Sequence, residues 1–135
     1  MATVTLLSDA EASAEALAVF NEIRAARGTD HVNNFWRALA HDPKTLRATW
    51  DRLREVMAPG ALDPLVKEML YIAVSVSNGC DYCIHSHTAA ARAKGMSAAQ
   101  YGELLAVIGM AAETNQLVTA MKVPVDTRFL VDEGS

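Results

Sequence analysis

Apolar positions recur along this chain at helical spacing, and capping residues cut the pattern into segments. Ser8 or Asp9 can cap a first helix whose stripe takes in Leu17, Phe20 and the aliphatic stem of Arg24, ending near Gly28. Val32 to Ala40 reads as a short helix carrying Phe35, Trp36 and Leu39. Asp42-Pro43 supplies an N-cap with proline in the first helical position. Leu46, Trp50, Leu53 and Met57 then follow at helical spacing until Pro59-Gly60 breaks the run. Asp63-Pro64 repeats the start signal and opens a helix through about Ser77, apolar nearly all round, as buried helices are. Its segment LYIAVSVS also alternates and is β-branched, which taken alone would suit a strand; the cap and proline favour helix. Asn78-Gly79 ends it, and a further helix runs from Cys80 or Asp81 to Gly95. Ser97 caps a helix through about Gly109, and a last one covers Met110 to Met121. Pro124 closes the fold, leaving 126–135 as a polar tail. The pattern predicts an all-α protein of six or seven helices, with residues 1–125 as one domain around one core.

Composition narrows the class. The 135 residues carry 12 Lys or Arg against 16 Asp or Glu, a net charge of −4, which argues against a nucleic-acid partner. Half the chain is apolar, enough for a core without covalent staples and too much for a disordered class. The longest uncharged runs, Met69 to Cys80 and Leu104 to Ala112, fall short of a membrane span, so no membrane is expected. The start lacks the basic and apolar regions of a signal peptide, which places the protein in the cytoplasm. In that reducing compartment the two cysteines, Cys80 and Cys83, read as redox or metal chemistry.

One region gathers reactive side chains: Glu68, Ser75, Cys80, Cys83 and His87. The cysteines lie one turn apart at a helix N-terminus, where a disulfide can close and where the dipole favours thiolate. His87, four residues after Cys83, can hydrogen-bond that sulfur and move its proton. Glu68 and Ser75 are seven apart, on one face of the preceding helix. If the two helices form a hairpin at Asn78-Gly79, that face meets the cysteine stripe. A carboxylate buried there would have its pKa raised into the acid–base range.

The ordered set Glu68, Ser75, Cys80, Cys83 and His87, with Asn78-Gly79 before the first cysteine and AARAKGMS after it, resembles the carboxymuconolactone decarboxylase / alkylhydroperoxidase D-like family. The tight match covers about Asp63 to Ser97. The resemblance implies an all-α thiol peroxidase assembled as a trimer or a higher multiple. By it, Cys83 attacks a hydroperoxide, Cys80 resolves the sulfenic acid, Glu68 and His87 relay protons, and an external thiol or dithiol resets the pair. Generic CxxC logic instead makes the first cysteine the exposed nucleophile. Peroxidase members often carry a relay histidine before the second cysteine; this chain has Tyr82 there, lining the site or packing.

Blander readings stand beside these. The cysteines could be inert buried thiols, or two ligands of a zinc site with His87, although no third cysteine exists and His85 faces away from Cys83. Ser75 suits an orienting role, or a helix hydroxyl bonded back to its own carbonyls. His31 and His41 sit near helix ends, Trp36 and Trp50 belong to core or interface, and Arg47 to Glu55 forms a charged, solvated face. A lyase of the decarboxylase branch and a zinc-stabilised interaction module remain the alternatives to the peroxidase. No nucleotide or flavin motif is present, so no organic cofactor and no metal is expected.

Overall fold

Each helix of the computed structural model, which describes residues 1–130, begins where a side chain can close its first turn. In the first of two compact units, Met1–Pro59, Ser13 accepts from the Ala16 amide and opens α1 (Ala14–Arg27). Gly28, in the left-handed region, ends it. The pattern predicts a start at Ser8 or Asp9; those residues form a separate turn. The Ser8 amide and hydroxyl both donate to Glu11, so the helix entry signal there is satisfied locally before α1 begins. α2 (Asn34–Leu39) is one residue or two shorter at each end than its pattern, and α3 (Pro43–Met57) starts at Asp42-Pro43 as predicted. Phe20, Ile23, Trp36, Leu46 and Trp50 form this unit's core, with the indoles edge to face at 5.5 Å. Arg24 and Arg37 converge on Asp9, and Arg47 grips Glu22 through two oxygens.

The second unit, from Gly60 onward, holds the chemistry. Asp63 caps α4 (Pro64–Asn78) by accepting from the Leu65 amide, which settles LYIAVSVS as helix. Gly79, again left-handed, turns the chain into α5 (Asp81–Ala93). Ser97 and Gln100 form a reciprocal capping box at the head of α6 (Ala98–Met121). A single 3-10 turn, Thr127–Phe129, interrupts the start of the polar tail; 131–135 lie outside the described residues. Ile72, Ala91 and Met96 are the buried centre, with Leu65, Met69, Tyr101, Leu104 and Ile108 packed on it.

Three expectations need correction. The pattern predicts separate helices to either side of Gly109; one 24-residue helix runs through it. Gly109 keeps ordinary helical backbone, and no proline follows, so its cost of about 1 kcal/mol relative to Ala is met by flanking residues that favour helix. The resulting α6 is long and apolar enough, by length and composition, to cross a membrane, contrary to the run-length reading, although none of its residues is buried here. Next, α4 is not buried all round: Leu70 and Val74 are exposed, and only Glu68, Ile72 and Ser75 are enclosed. Finally, the buried residues form a cluster in each unit where one core is predicted. Every element among the described residues is helical, as predicted.

Candidate active site

The turn between α4 and α5 places the sulfurs. Gly79 takes φ 67°, and its N–H reaches back to the Ser75 and Val76 carbonyls. The next amide, Cys80 N–H, donates to the same Ser75 carbonyl at 2.9 Å. Cys80 is thereby held as the N-cap of α5, and its Sγ accepts from the Cys83 amide at 3.3 Å. With the Cα atoms 5.3 Å apart, Cys80 and Cys83 are joined in a disulfide across the first turn. Neither residue is fully buried. A thiolate formed by reducing this pair would face the positive end of α5, which stabilises negative charge.

One turn further along α5, His87 turns towards α4. Its Nδ1 lies 2.7 Å from Oε2 of Glu68, and its ring stacks on Tyr71 at 3.6 Å between centroids and 19° between planes. The other oxygen of Glu68, Oε1, accepts from Nζ of Lys94 at 2.8 Å. Glu68 is only 4% exposed. Burial pushes its carboxyl up, but the hydrogen bonds from His87 and Lys94 and the charge of both outweigh it, so the pKa lies below the usual glutamate value. The predicted rise into the acid–base range is therefore corrected: the residue is a fixed carboxylate at neutral pH, because two donors compensate the loss of water. With Nδ1 committed to Glu68, Nε2 is the nitrogen left to exchange a proton with a substrate or a sulfur. The spacing predicts a His87–Cys83 hydrogen bond; the bond His87 makes here is to Glu68.

Ser75 is buried, and its hydroxyl donates to the Tyr71 carbonyl at 2.7 Å within its own helix. The contact it makes with Cys80 is through its carbonyl, not its hydroxyl. Tyr82, 45% exposed, stands between the two cysteines in sequence on the outer side of α5. His85 is exposed, and His41 is tied to the Thr5 carbonyl. Two residues escaped the sequence reading. Tyr71 follows Glu68 by three and Lys94 follows His87 by seven, spacings that put each pair on one helix face. The signal existed, but Lys94 is the C-cap of α5, where a lysine is explained by the helix dipole alone. The zinc alternative needs both sulfurs as thiolates, whereas here they bind each other.

Residues 43–126 match the model of the carboxymuconolactone decarboxylase family. Alkyl hydroperoxide reductase AhpD of Solibacter usitatus is 35% identical over 107 residues, which is 76% of this chain and 58% of that protein. The chain therefore spans less than two thirds of the length of this curated relative. The crystal structure of the alkylhydroperoxidase AhpD core of Rhodospirillum rubrum superposes with a TM-score of 0.94 at 63% identity, covering 98% of this chain and 99% of that one.

Proposed function

We propose that this chain, which belongs to the carboxymuconolactone decarboxylase family, is a thiol-dependent peroxidase that reduces hydroperoxides through Cys80 and Cys83. The observation carrying this reading is a disulfide across the first turn of α5 on the same helix as a histidine bonded to a buried carboxylate. The names of both relatives support the same chemistry at the level of the family.

In the reduced protein His87 takes the proton of Cys83, and Glu68 steadies the imidazolium from the Nδ1 side. The Cys83 thiolate attacks the terminal oxygen of the hydroperoxide. An S–O bond forms, the O–O bond breaks, and the departing alkoxide takes its proton from His87 to leave as alcohol. Cys80 then attacks the Cys83 sulfenic acid; the S–S bond forms and hydroxide leaves, protonated to water by the proton that Cys80 gives up. Two electrons have passed from the sulfurs to the peroxide. An external dithiol returns them by exchange through a mixed disulfide, becoming a disulfide itself. Tyr82, beside the pair and half exposed, lines the approach. The cycle needs a reducing compartment, which is why we place the protein in the cytoplasm.

We also infer that copies of the chain associate, as a trimer or hexamer. On α6, Val107, Met110, Leu117, Val118 and Met121 form one exposed stripe, turned away from Tyr101, Leu104 and Ile108, which pack inward. A stripe of that kind marks an association surface. The Glu103, Asn115 and Gln116 side chains on the same helix suit a protein contact better than lipid.

The test is intact mass and peroxide consumption, followed in time, after one equivalent of an organic hydroperoxide is given to the reduced protein. Rapid loss of two hydrogens per chain, faster than a small-molecule thiol, is expected. With Cys80→Ser, Cys83 should stop at sulfenic acid; with Cys83→Ser, turnover should vanish. Turnover retained in Cys83→Ser would refute the assignment. The family name also covers decarboxylases, and a lyase activity that survives alkylation of both thiols would select that reading instead.

A further inference from the structure

The proton route above uses one of the two hydrogen bonds that Glu68 accepts. The second comes from Lys94, the residue that ends α5, whose backbone N–H caps the helix while its side chain reaches back to α4. Nζ lies 2.8 Å from Oε1 and His87 Nδ1 lies 2.7 Å from Oε2, so each carboxylate oxygen is held by a different partner. The Lys94 side chain itself is 39% exposed. The ammonium thus keeps water on one side while it compensates a buried anion on the other.

We propose that Lys94 is a positioning residue for the thiol chemistry: its ammonium holds the Glu68 carboxylate in place and balances its charge, leaving His87 free to take and return the sulfur's proton. This deepens the peroxidase reading and rests on it. The charge count explains why a second cation matters. With Cys83 as thiol and His87 neutral, Glu68 and Lys94 cancel. After the proton moves, thiolate and imidazolium cancel as well. Neither state leaves an unbalanced charge in the half-buried site, so the transfer avoids the penalty of isolating one. Without Lys94 the first state carries a net negative charge. The carboxylate then takes up a proton at a higher pH than in the wild type, and below that pH it ceases to accept from Nδ1.

The charged and titratable neighbours of Glu68 are few. From α5 they are His87 and Lys94, the two groups that lower its pKa. On α4 itself, Tyr71 touches the network only by stacking on His87. From α6, Tyr101 is the titratable residue packed inward, and it lies under the Arg92 guanidinium. Lys94 is the lysine whose hydrogen bond and charge act on the Glu68 carboxylate, beside those of His87.

Wild type, Lys94→Met, Lys94→Gln and Lys94→Arg are compared as the full chain. Protonation of Glu68 is followed by carbon-13 NMR of the glutamate carboxyls in the oxidised protein, with Glu68→Gln to assign the signal. Turnover of an organic hydroperoxide is measured over the same pH range. Lys94→Met and Lys94→Gln should raise the pH of half-protonation by ~1 unit or more. The acid limb of turnover should move up by the same amount, and Lys94→Arg should restore both. An unmoved carboxyl signal in the two neutral variants would overturn the proposal. So would a moved signal with an unmoved acid limb, since Lys94 would then act on Glu68 without acting on the chemistry. If wild type turns over no peroxide, the peroxidase reading fails alone. The rate of Cys83 alkylation against pH then replaces turnover, and the same shift is required.

Discussion

Glu68 shows how far one residue's surroundings reverse an expectation drawn from its type. A carboxyl in an apolar helix is pushed up by burial, and the sequence supports only that half of the argument. In the folded chain two donors meet its two oxygens, and their combined effect exceeds the desolvation. In the proposed cycle Glu68 therefore orients and compensates, while His87 carries the proton. Glu68→Gln keeps the shape and a hydrogen-bonding oxygen but removes the charge. We expect it to lower peroxide turnover ~100-fold or more, the lower end of what a positioned acid–base group supplies, with the helical content by circular dichroism unchanged. Turnover equal to wild type would remove Glu68 from the mechanism. Cys80 adds a second lesson at this scale. As N-cap its sulfur accepts the Cys83 amide, a backbone contact that the position of Cys80 at the head of α5 provides.

Among the elements, the α4–α5 corner does the positioning, and Gly79 is its pivot. Its φ of 67° is in the left-handed region, and a Cβ there would meet nothing within 4 Å. The cost of Gly79→Ala is thus conformational and not steric, about 1–2 kcal/mol. Urea unfolding of the reduced protein should show a loss of that size. The disulfide should also form more slowly after peroxide, because the Cys80 amide depends on the same Ser75 carbonyl as Gly79. A variant with unchanged stability would mean that the corner tolerates other geometries. α6 teaches the converse. Its interior glycine looks like a stop signal, yet no left-handed residue, cap or proline accompanies it, and a lone glycine is tolerated inside a helix.

Across the whole molecule, acid sensitivity follows from paired carboxylates in both units. The hydrogen bond from Arg24 holds Asp9 below the usual aspartate range, helped by Arg37, and the hydrogen bond from Arg47 does the same for Glu22. Glu68 is lowered as described. Carboxyls whose pKa is depressed by folding bind fewer protons in the folded state. Their contribution is complete above the unfolded values of ~3.9–4.3 and is lost as pH falls through the folded ones. The urea midpoint should thus stay level near neutrality and fall steadily below about pH 4.5; a midpoint that held or rose on acidification would contradict these pairings. Association belongs to this scale too. Val107, the first residue of the α6 stripe, is 65% exposed, so Val107→Glu should shift sedimentation towards single chains while leaving the fold intact. A wild-type protein that sediments as a single chain at micromolar concentration would sink the proposed assembly.

The sequence by itself determined the helices that open on a cap and a proline, α3 and α4, the stop at Gly79, and the stripe that carries Cys80, Cys83 and His87. These are local features, set by residues within one or two turns of each other, and local physics reads them. It also brought Glu68 to the right face of α4. Only the tertiary structure decided what that carboxylate does, because its charge state depends on Lys94, which lies 26 residues away and meets it only once α5 folds back on α4. Tertiary structure likewise showed that the Ser75 carbonyl receives the Cys80 amide and that the outer stripe of α6 is left exposed. Partners distant in sequence leave no periodic trace, and an apolar stripe looks the same whether the chain covers it or leaves it exposed.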